Sequence, residues 1–469
     1  MRPAQVIGEV GTTVVTAVTY DHRDVTAGAL HCCLPGERVD GHDFAGLARR
    51  AGAVAFVCER PLGDEADGAV QFVVERGAAR PAMAEAACAL WGDPAAALRT
   101  VGVTGTNGKT TTTYFLRSVL QANGWPTAVI GTLVGARTTP ESPDLQRAFA
   151  QARDAGCSAV ALEVTSHALA QHRADGYRHD VAVFTNLSQD HLDFHGTLEA
   201  YFEAKANLFT PDHAEAGVAN ADDPYGRRLL ATAPITTRPY ALEDAKDLTV
   251  GLIESRFVLD GEPVRIQPGG TFNVMNALAA AAAAKLLGVP ATTVAEGLSS
   301  AERPPGRLEP VANGLGATVV VDYAHTPAAL AEVLRAARAE ADRSRGRVVV
   351  VFGCGGDRDR EKRPLMASAA THLADIAVLT SDNPRHEDPL AIIDEVRSGA
   401  DGPARFEVEP DRRAAIALGV SICEPGDVLV VAGKGHEVTQ QIGDELVAFD
   451  DRAVLRALVG APPEEGVAP

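Results

Sequence analysis

Short, unbroken apolar runs recur along the chain, each followed by a polar loop and then by helix-compatible sequence. In the middle of the chain they are Leu98–Val103, Ala159–Val164 and Val181–Phe184. Towards the end they are Thr318–Val321, Val348–Phe352, Ile376–Leu379 and Val428–Val431. Apolar runs without alternation predict strands buried on both faces, the pattern of a parallel sheet covered by helices. The first 92 residues differ. They mix short strand-like runs with Gly and Pro turns: a turn at Asp40-Gly41-His42-Asp43, a helix over Ala45–Arg50 and a strand over Val54–Cys58. Helices are further predicted over Thr110–Asn123, closed by Gly124, and over Asn276–Leu287, stopped by Gly288 and Pro290.

Turn residues divide the pattern at Gly92-Asp93-Pro94 and between Pro304 and Gly314. The expected organisation is three α/β domains, at 1–92, 93–312 and 313–469. A length of 469 residues suits three domains. In open α/β sheets ligands bind beyond the carboxyl ends of the strands. Four polar loops of the last section fall there, beginning at Asp322, Gly353, Asp382 and Gly433.

Charge and cysteine usage narrow the class. Forty-three Lys and Arg against 62 Asp and Glu give a formal charge of −19. That argues against a general binder of nucleic acid or anionic membrane. Seven Cys without a C-x-x-C pair read as reduced thiols of a cytoplasmic protein. The longest apolar run, Ala277–Ala284, is too short to span a bilayer, and no signal peptide is expected.

The strongest chemical signal is Gly102-Val-Thr104-Gly105-Thr106-Asn107-Gly108-Lys109-Thr110-Thr111, fed by a strand and leaving into a helix. Such a loop points backbone N–H groups at phosphates, with Lys109 as a point charge and Thr110 as an Mg²⁺ ligand. Position 103 is Val where the strict pattern wants Gly. Glu163 ends a strand; it is a candidate Mg²⁺ ligand or a surface carboxylate. His191, in a loop crowded with Asp190, Asp193 and His195, is a metal ligand, an acid–base group or a solvated side chain. After the N-cap Thr197, Lys205 falls on the apolar stripe with Leu198, Tyr201 and Leu208. It either snorkels, finds a partner or is chemically altered. Arg358 and Arg385 lie in two strand-end loops. With Glu437 they suit an amphoteric ligand, guanidinium for carboxylate and carboxylate for ammonium.

Taken together, these blocks resemble the Mur ligase family. They include the phosphate loop, Glu-Val-Thr-Ser-His (163–167), Phe-Thr-Asn-Leu-Ser-Gln-Asp-His-Leu-Asp (184–193) and Tyr-Phe-Glu-Ala-Lys (201–205). Phe-Asn-Val-Met-Asn (272–276), Pro-Gly-Arg-Leu-Glu (305–309) and Asp-Tyr-Ala-His-Thr-Pro (322–327) follow. Gly-Cys-Gly-Gly-Asp-Arg-Asp (353–359), Asp-Asn-Pro-Arg (382–385) and Gly-Lys-Gly-His-Glu (433–437) point to its MurE-type branch. The resemblance covers about residues 15–457.

The resemblance implies a small UDP-binding domain, a central P-loop ATPase domain and a C-terminal Rossmann-like domain. It implies an ATP-dependent amide ligase of peptidoglycan precursor synthesis that adds diaminopimelate to UDP-MurNAc-L-Ala-D-Glu through an acyl phosphate. Carried over by position, Thr104 to Thr111, Asn273, Asn276, Arg307 and Asp322 would hold ATP. Thr110, Glu163 and His191 would surround Mg²⁺, and Lys205 would be carbamylated and serve a second Mg²⁺. Lys109, Lys205 and His191 would be the catalytic side chains. Arg23, Thr138, Thr139, Thr165, Gln171 and Arg173 would meet the UDP-muropeptide. Arg358, Asp382, Asn383, Arg385, Gly433 and Glu437 would form the amino-acid pocket, with Arg385 the feature associated with diaminopimelate. A monomer without nucleic-acid or membrane partners is expected.

Some positions depart from the family pattern: His22 within Asp21-His22-Arg23, then His31, Cys33 and Thr165. They cluster at the expected UDP and muropeptide sites. The alternative reading they leave open is a MurE-like paralogue with a different acyl acceptor.

Overall fold

The computed structural model describes residues 3–460 except 12, 37–38 and 136. The first sheet has the order β1-β5-β4-β3-β2, from β1 (Gln5–Ile7), β2 (Ala17–Thr19), β3 (Ala29–Cys32), β4 (Ala53–Cys58) and β5 (Val70–Val73). Only β1 runs antiparallel to its neighbour. The helix Ala45–Ala51 appears where expected, ended by Gly52 in the left-handed region. The turn at Asp40 is a short 3₁₀ helix, Gly41–Phe44, capped by the Asp40 side chain. The helix Ala79–Trp91 stops at Gly92, also left-handed, and the chain enters the second sheet.

That sheet is wholly parallel, in the order β11-β10-β9-β6-β8-β7. Its strands are β6 (Arg99–Thr104), β7 (Thr127–Ile130), β8 (Ala159–Glu163), β9 (His179–Phe184), β10 (Ala214–Asn220) and β11 (Thr236–Tyr240). Every residue of β8 is buried, which is what its unbroken apolar run requires. The Ala-rich helix spans Thr271–Leu286 and packs against the helix Lys109–Ala122. Its small side chains allow close approach, and Ala277–Ala281, Ala283 and Ala284 are all buried. A three-stranded antiparallel sheet, β12 (Lys246–Val250), β13 (Ser255–Leu259) and β14 (Glu262–Ile266), precedes it.

The third sheet has the order β15-β16-β20-β17-β18-β19. Its strands are β15 (Glu309–Pro310), β16 (Thr318–Asp322), β17 (Val348–Phe352), β18 (Ile376–Leu379), β19 (Arg405–Val408) and β20 (Val428–Ala432). It is parallel apart from the two-residue edge β15. Through β15 the segment at 309–310 hydrogen-bonds to the third sheet. A hairpin, β21 (Thr439–Ile442) and β22 (Glu445–Ala448), leans on the Asp-Asn-Pro-Arg loop: Arg385 N–H donates to Gln441 O at 3.1 Å.

Glu141 ties the first domain to the second. It is 3 % exposed and meets Arg80 at 2.8 Å, Arg137 at 2.7 Å and Arg173 at 3.0 Å. Arg80 comes from the first domain's helix Ala79–Trp91. Tyr20, also in the first domain, donates to Asp144 Oδ2 at 2.8 Å. Among the described residues no helix is long and apolar enough to cross a membrane.

Candidate active site

The phosphate loop runs from the end of β6 to the helix Lys109–Ala122, and its shape depends on two glycines. Gly105 has φ +144° and Gly108 has φ +90°. A Cβ on Gly105 would lie 1.9 Å from Thr185 Oγ1, and one on Gly108 2.2 Å from Asn276 Oδ1. The loop is stitched to the segment after β9. Thr106 N–H donates to Asn186 O at 2.9 Å and Asn107 N–H to Asn186 Oδ1 at 3.0 Å. Thr185 Oγ1 donates to Asn107 O at 2.6 Å.

Two lysines converge on this loop. Lys109 Nζ donates to Gly105 O and Thr106 O, both at 2.9 Å. Lys205, 1 % exposed, donates to the same Gly105 O at 2.8 Å and lies 4.5 Å from the Tyr201 ring centre. It is therefore inward and does not snorkel. Burial lowers both lysines' pKa. For Lys109 the charges of Glu163 and Asp190 oppose that shift, whereas Lys109 itself pushes Lys205 further down, well below the ordinary range.

Glu163, last residue of β8 and 1 % exposed, faces Thr110, whose Oγ1 is 3.0 Å from each carboxylate oxygen. Thr132 adds its N–H at 2.9 Å and its hydroxyl at 3.1 Å. A hydroxyl and a carboxylate beside a phosphate loop form a hard-oxygen pair that fits Mg²⁺. His191 stands apart from that pair, with Nε2 3.5 Å from Asp190 Oδ2. Burial pushes its pKa down to about 3 despite Asp190, so the ring is neutral and able to ligate. Among the described residues no cluster of three His, Cys, Asp or Glu is formed that could hold a metal.

The end of the second domain and the start of the third, which carry Arg307 and Thr326, close over the loop. Arg307 Nη2 donates to Thr110 Oγ1 at 3.2 Å, and its guanidinium lies 4.4 Å from the Tyr323 ring centre. Thr326, whose side chain caps the helix Pro327–Ser344, reaches Asn107 Oδ1 at 3.4 Å. Asp322 is buried, accepting from Leu308 N–H and Ala324 N–H, each at 2.8 Å. Burial raises its pKa against the pull of Arg307. Asn276 Nδ2 donates to Asn273 Oδ1 at 3.1 Å, placing both beneath Gly108.

One cavity of about 650 Å³ joins these parts. Its walls include Thr106–Thr111, Glu163, His191, Asn273, Asn276, Arg307 and Asp322. At the other end they include Arg358, Asp382, Asn383, Arg385, Gly433 and Glu437. Thr138 and Thr165 line it too. Thr104 and Gly105 are not in its lining. Arg385 is held by its Nη1 on Gly356 O at 2.6 Å, and Asn383 Nδ2 donates to Glu437 Oε2 at 2.8 Å. Burial, then the neighbouring Arg358, lowers the pKa of Arg385: two guanidinium groups face one space.

The residues expected at the muropeptide end divide. Thr139 donates to Glu163 O at 2.8 Å, and Thr165 caps the helix Ser166–Ala170. Gln171 accepts from Arg173 Nη2 at 2.5 Å, so these two are bonded to each other outside the cavity lining. Arg23 is not brought to the cavity; its exposed side chain pairs with Asp21 at 2.5 Å. Two family departures are packing residues. His31 is buried against Thr19 Oγ1 at 3.1 Å, and Cys33 is fully buried in the first domain's core.

Several residues escaped the sequence reading. Lys434, wholly buried, donates to Asn383 Oδ1 and Glu437 Oε2 at 3.0 Å and to Thr439 O at 2.7 Å. Its position inside Gly-Lys-Gly-His-Glu was the available signal. Arg412 and Asp451, both 0 % exposed, pair at 2.7 Å, and Arg412 also donates to Ala432 O at the end of β20. Lys362, on the cavity wall, had no signal in the sequence.

Known proteins share the domain organisation and fold. Residues 14–91 match the Mur ligase family catalytic domain, 103–284 the Mur ligase middle domain, and 306–435 the Mur ligase glutamate ligase domain. The chain belongs to the Mur ligase family. It is 44 % identical over 477 residues to the UDP-N-acetylmuramoyl-L-alanyl-D-glutamate–2,6-diaminopimelate ligase of Geobacillus thermodenitrificans, covering 96 % of each chain. The ligase of the same name from Streptomyces coelicolor is also 44 % identical, over 96 % of this chain and 93 % of its own. A solved structure of such a ligase superposes with a TM-score of 0.64 at 33 % identity, covering 95 % of both chains. The MurF ligase of Thermotoga maritima in complex with ADP, 20 % identical with a TM-score of 0.64 over 96 % of this chain and 98 % of its own, shares the Mur ligase fold.

Proposed function

We propose that this Mur ligase adds 2,6-diaminopimelate to the D-Glu γ-carboxylate of UDP-MurNAc-L-Ala-D-Glu at the expense of ATP. The observation that carries this reading is the single cavity with a phosphate loop at one end and Arg358, Arg385 and Glu437 at the other. An amino acid whose far end bears its own carboxylate suits two converging guanidinium groups. Lysine would set an ammonium against them, costing several kcal/mol in order of magnitude. The names of the 44 % identical relatives agree with it.

A γ-carboxylate oxygen attacks the terminal phosphorus, the bond to the bridging oxygen breaks, and ADP leaves. The amine then attacks the acyl carbon, phosphate departs with the bonding pair, and the nitrogen loses its proton to it. Lys109 and Arg307 offset charge on the transferring group, while Asn273, Asn276 and Asp322 border the nucleotide's side of the cavity. Thr110 and Glu163 would hold Mg²⁺, with His191 as a further ligand; the ion supplies charge neutralisation and alignment of phosphate oxygens. Lys205 has the low-pKa amine that carbamylation requires: nitrogen attacks CO₂, and a proton is lost. The carbamate would turn an inward cation into an anion beside the metal site. Thr138, Thr139, Thr165, Gln171 and Arg173 would meet the acceptor, as would Arg23 from the UDP-binding segment.

The test is phosphate release from ATP with UDP-MurNAc-L-Ala-D-Glu and meso-diaminopimelate, LL-diaminopimelate or lysine, with product mass. Diaminopimelate-dependent release with a tripeptide product is expected. Preference for lysine would overturn the reading of Arg385, and no turnover with any would favour a different acceptor.

A further inference from the structure

Cations crowd around one carboxylate where the second and third domains meet. Asp190, in the loop after β9, is buried, and Lys362 reaches it across the cleft with Nζ 3.4 Å from Oδ1. The two side chains are 6 % and 7 % exposed. Lys362 opens the helix Lys362–Leu373, directly after the glycine-rich loop that carries Arg358. Asp190 is also the carboxylate whose charge acts on Lys109 and Lys205 from the phosphate-loop side. Glu163, the other carboxylate acting on Lys109, is occupied by Thr110 and Thr132.

Buried Asp190 is thus paired directly with Lys362 and acts at longer range on Lys109 and Lys205. Uncompensated charge there is costly. A further anion placed between Lys109 and Lys362 removes that cost, and both lysines line the same cavity. Thr326 on Asn107 already sets the third domain's first helix onto the phosphate loop, beside Arg307 on Thr110, so Lys362 arrives with that domain.

We propose that Lys362 is a phosphoryl-contacting residue supplied by the third domain, and that Asp190 holds its ammonium in place for the terminal phosphate of ATP. As that group transfers, its charge is spread over three peripheral oxygens, and the Lys362 ammonium offsets it from the side facing Lys109. Acyl-phosphate formation is then coupled to docking of the Arg358 loop, because one backbone segment carries both side chains. An undocked third domain leaves ATP bound without the second cation.

The experiment compares Lys362→Met, Lys362→Arg and the parent chain. Affinity is measured for Mg-ADP alone and for Mg-ADP with aluminium fluoride, which mimics the transferring phosphoryl group. For Lys362→Met, ADP affinity should stay within about 3-fold while ADP–aluminium fluoride affinity falls on the order of 100-fold. Lys362→Arg should recover part of the loss. Unchanged or equal losses for the two ligands in Lys362→Met would overturn the proposal. A second arm, resting on the ligase reading, measures ADP–ATP exchange driven by UDP-MurNAc-L-Ala-D-Glu without amino acid; it should fall in parallel. If the parent chain shows no such exchange, that reading fails, while the aluminium fluoride comparison still decides on Lys362.

Discussion

Lys109 and Lys205 donate to the same acceptor, the Gly105 carbonyl, at 2.9 and 2.8 Å, from the phosphate loop's own helix and from a helix about a hundred residues downstream. Two buried ammonium groups on one carbonyl repel each other, and the repulsion favours a neutral Lys205. Intact-mass analysis in bicarbonate buffer should show Lys205 carrying one added CO₂, lost on acidification. Activity should fall in CO₂-free buffer and return with bicarbonate. Lys205→Arg, which cannot form the carbamate, should lose on the order of 100-fold in kcat. An unmodified mass with full activity would rule out the carbamate.

Arg385 should govern the choice of amino acid. Replacing it by Ala removes one of two guanidinium groups that face the cavity. The expected loss in kcat/KM for diaminopimelate is about 2–4 kcal/mol, or about 30- to 1000-fold. The KM for ATP should be unchanged, because the phosphate loop lies at the cavity's other end. Steady-state kinetics with each substrate varied in turn checks this.

Gly105→Ala should abolish nucleotide binding rather than weaken folding broadly. The added methyl would meet Thr185 Oγ1, which itself holds the Asn107 carbonyl. Titration with a fluorescent ATP analogue should show lost binding, with the thermal unfolding midpoint lowered by only a few degrees.

Asp451→Asn should destabilise the third domain by about 3–5 kcal/mol, since it leaves the wholly buried Arg412 without its counter-charge. Urea unfolding followed by fluorescence measures this. Arg412 also bonds the carbonyl just before Gly433, so the KM for diaminopimelate should rise in the same variant.

Stability should decline in mild acid. Burial lowers the His179 pKa to about 3, below its unfolded value of about 6.5. The unfolded chain then binds the proton first. The contribution of neutral His179 is complete above about pH 6.5 and is lost towards pH 3, by about 1.4 kcal/mol per pH unit. Denaturant unfolding at pH 7 and pH 5 should show a slope to which other buried histidines such as His191 add, and His179→Gln should reduce it by about one group's share whatever its own stability.

The sequence was most legible where a pattern is local. The buried strands of the second and third sheets are contiguous apolar runs, and β8, β17 and β20 appear within one residue of their predicted limits. The phosphate loop and the inward Lys205 were likewise readable, one from glycine spacing and the other from helical period. Lys362 with Asp190 was not, because the partners are 172 residues apart and neither sits in a periodic context. Arg412 and Asp451 escaped for the same reason. His31 and Cys33, read as departures at the expected UDP site, prove to be interior side chains of the first domain, which their residue types alone did not indicate. Local composition does not reveal which side of a strand faces a ligand when both are covered.

Glu141 has a consequence for recombining such enzymes. It is the shared counter-ion of Arg80 in the first domain and of Arg137 and Arg173 in the second. A chimera that exchanges the first domain without matching position 80 would remove the ion pair by which Arg80 joins the two domains. A donor with an acidic side chain there would set a second carboxylate against the buried Glu141. Compatibility of a transplanted first domain can thus be screened at one position, before any consideration of which nucleotide it carries.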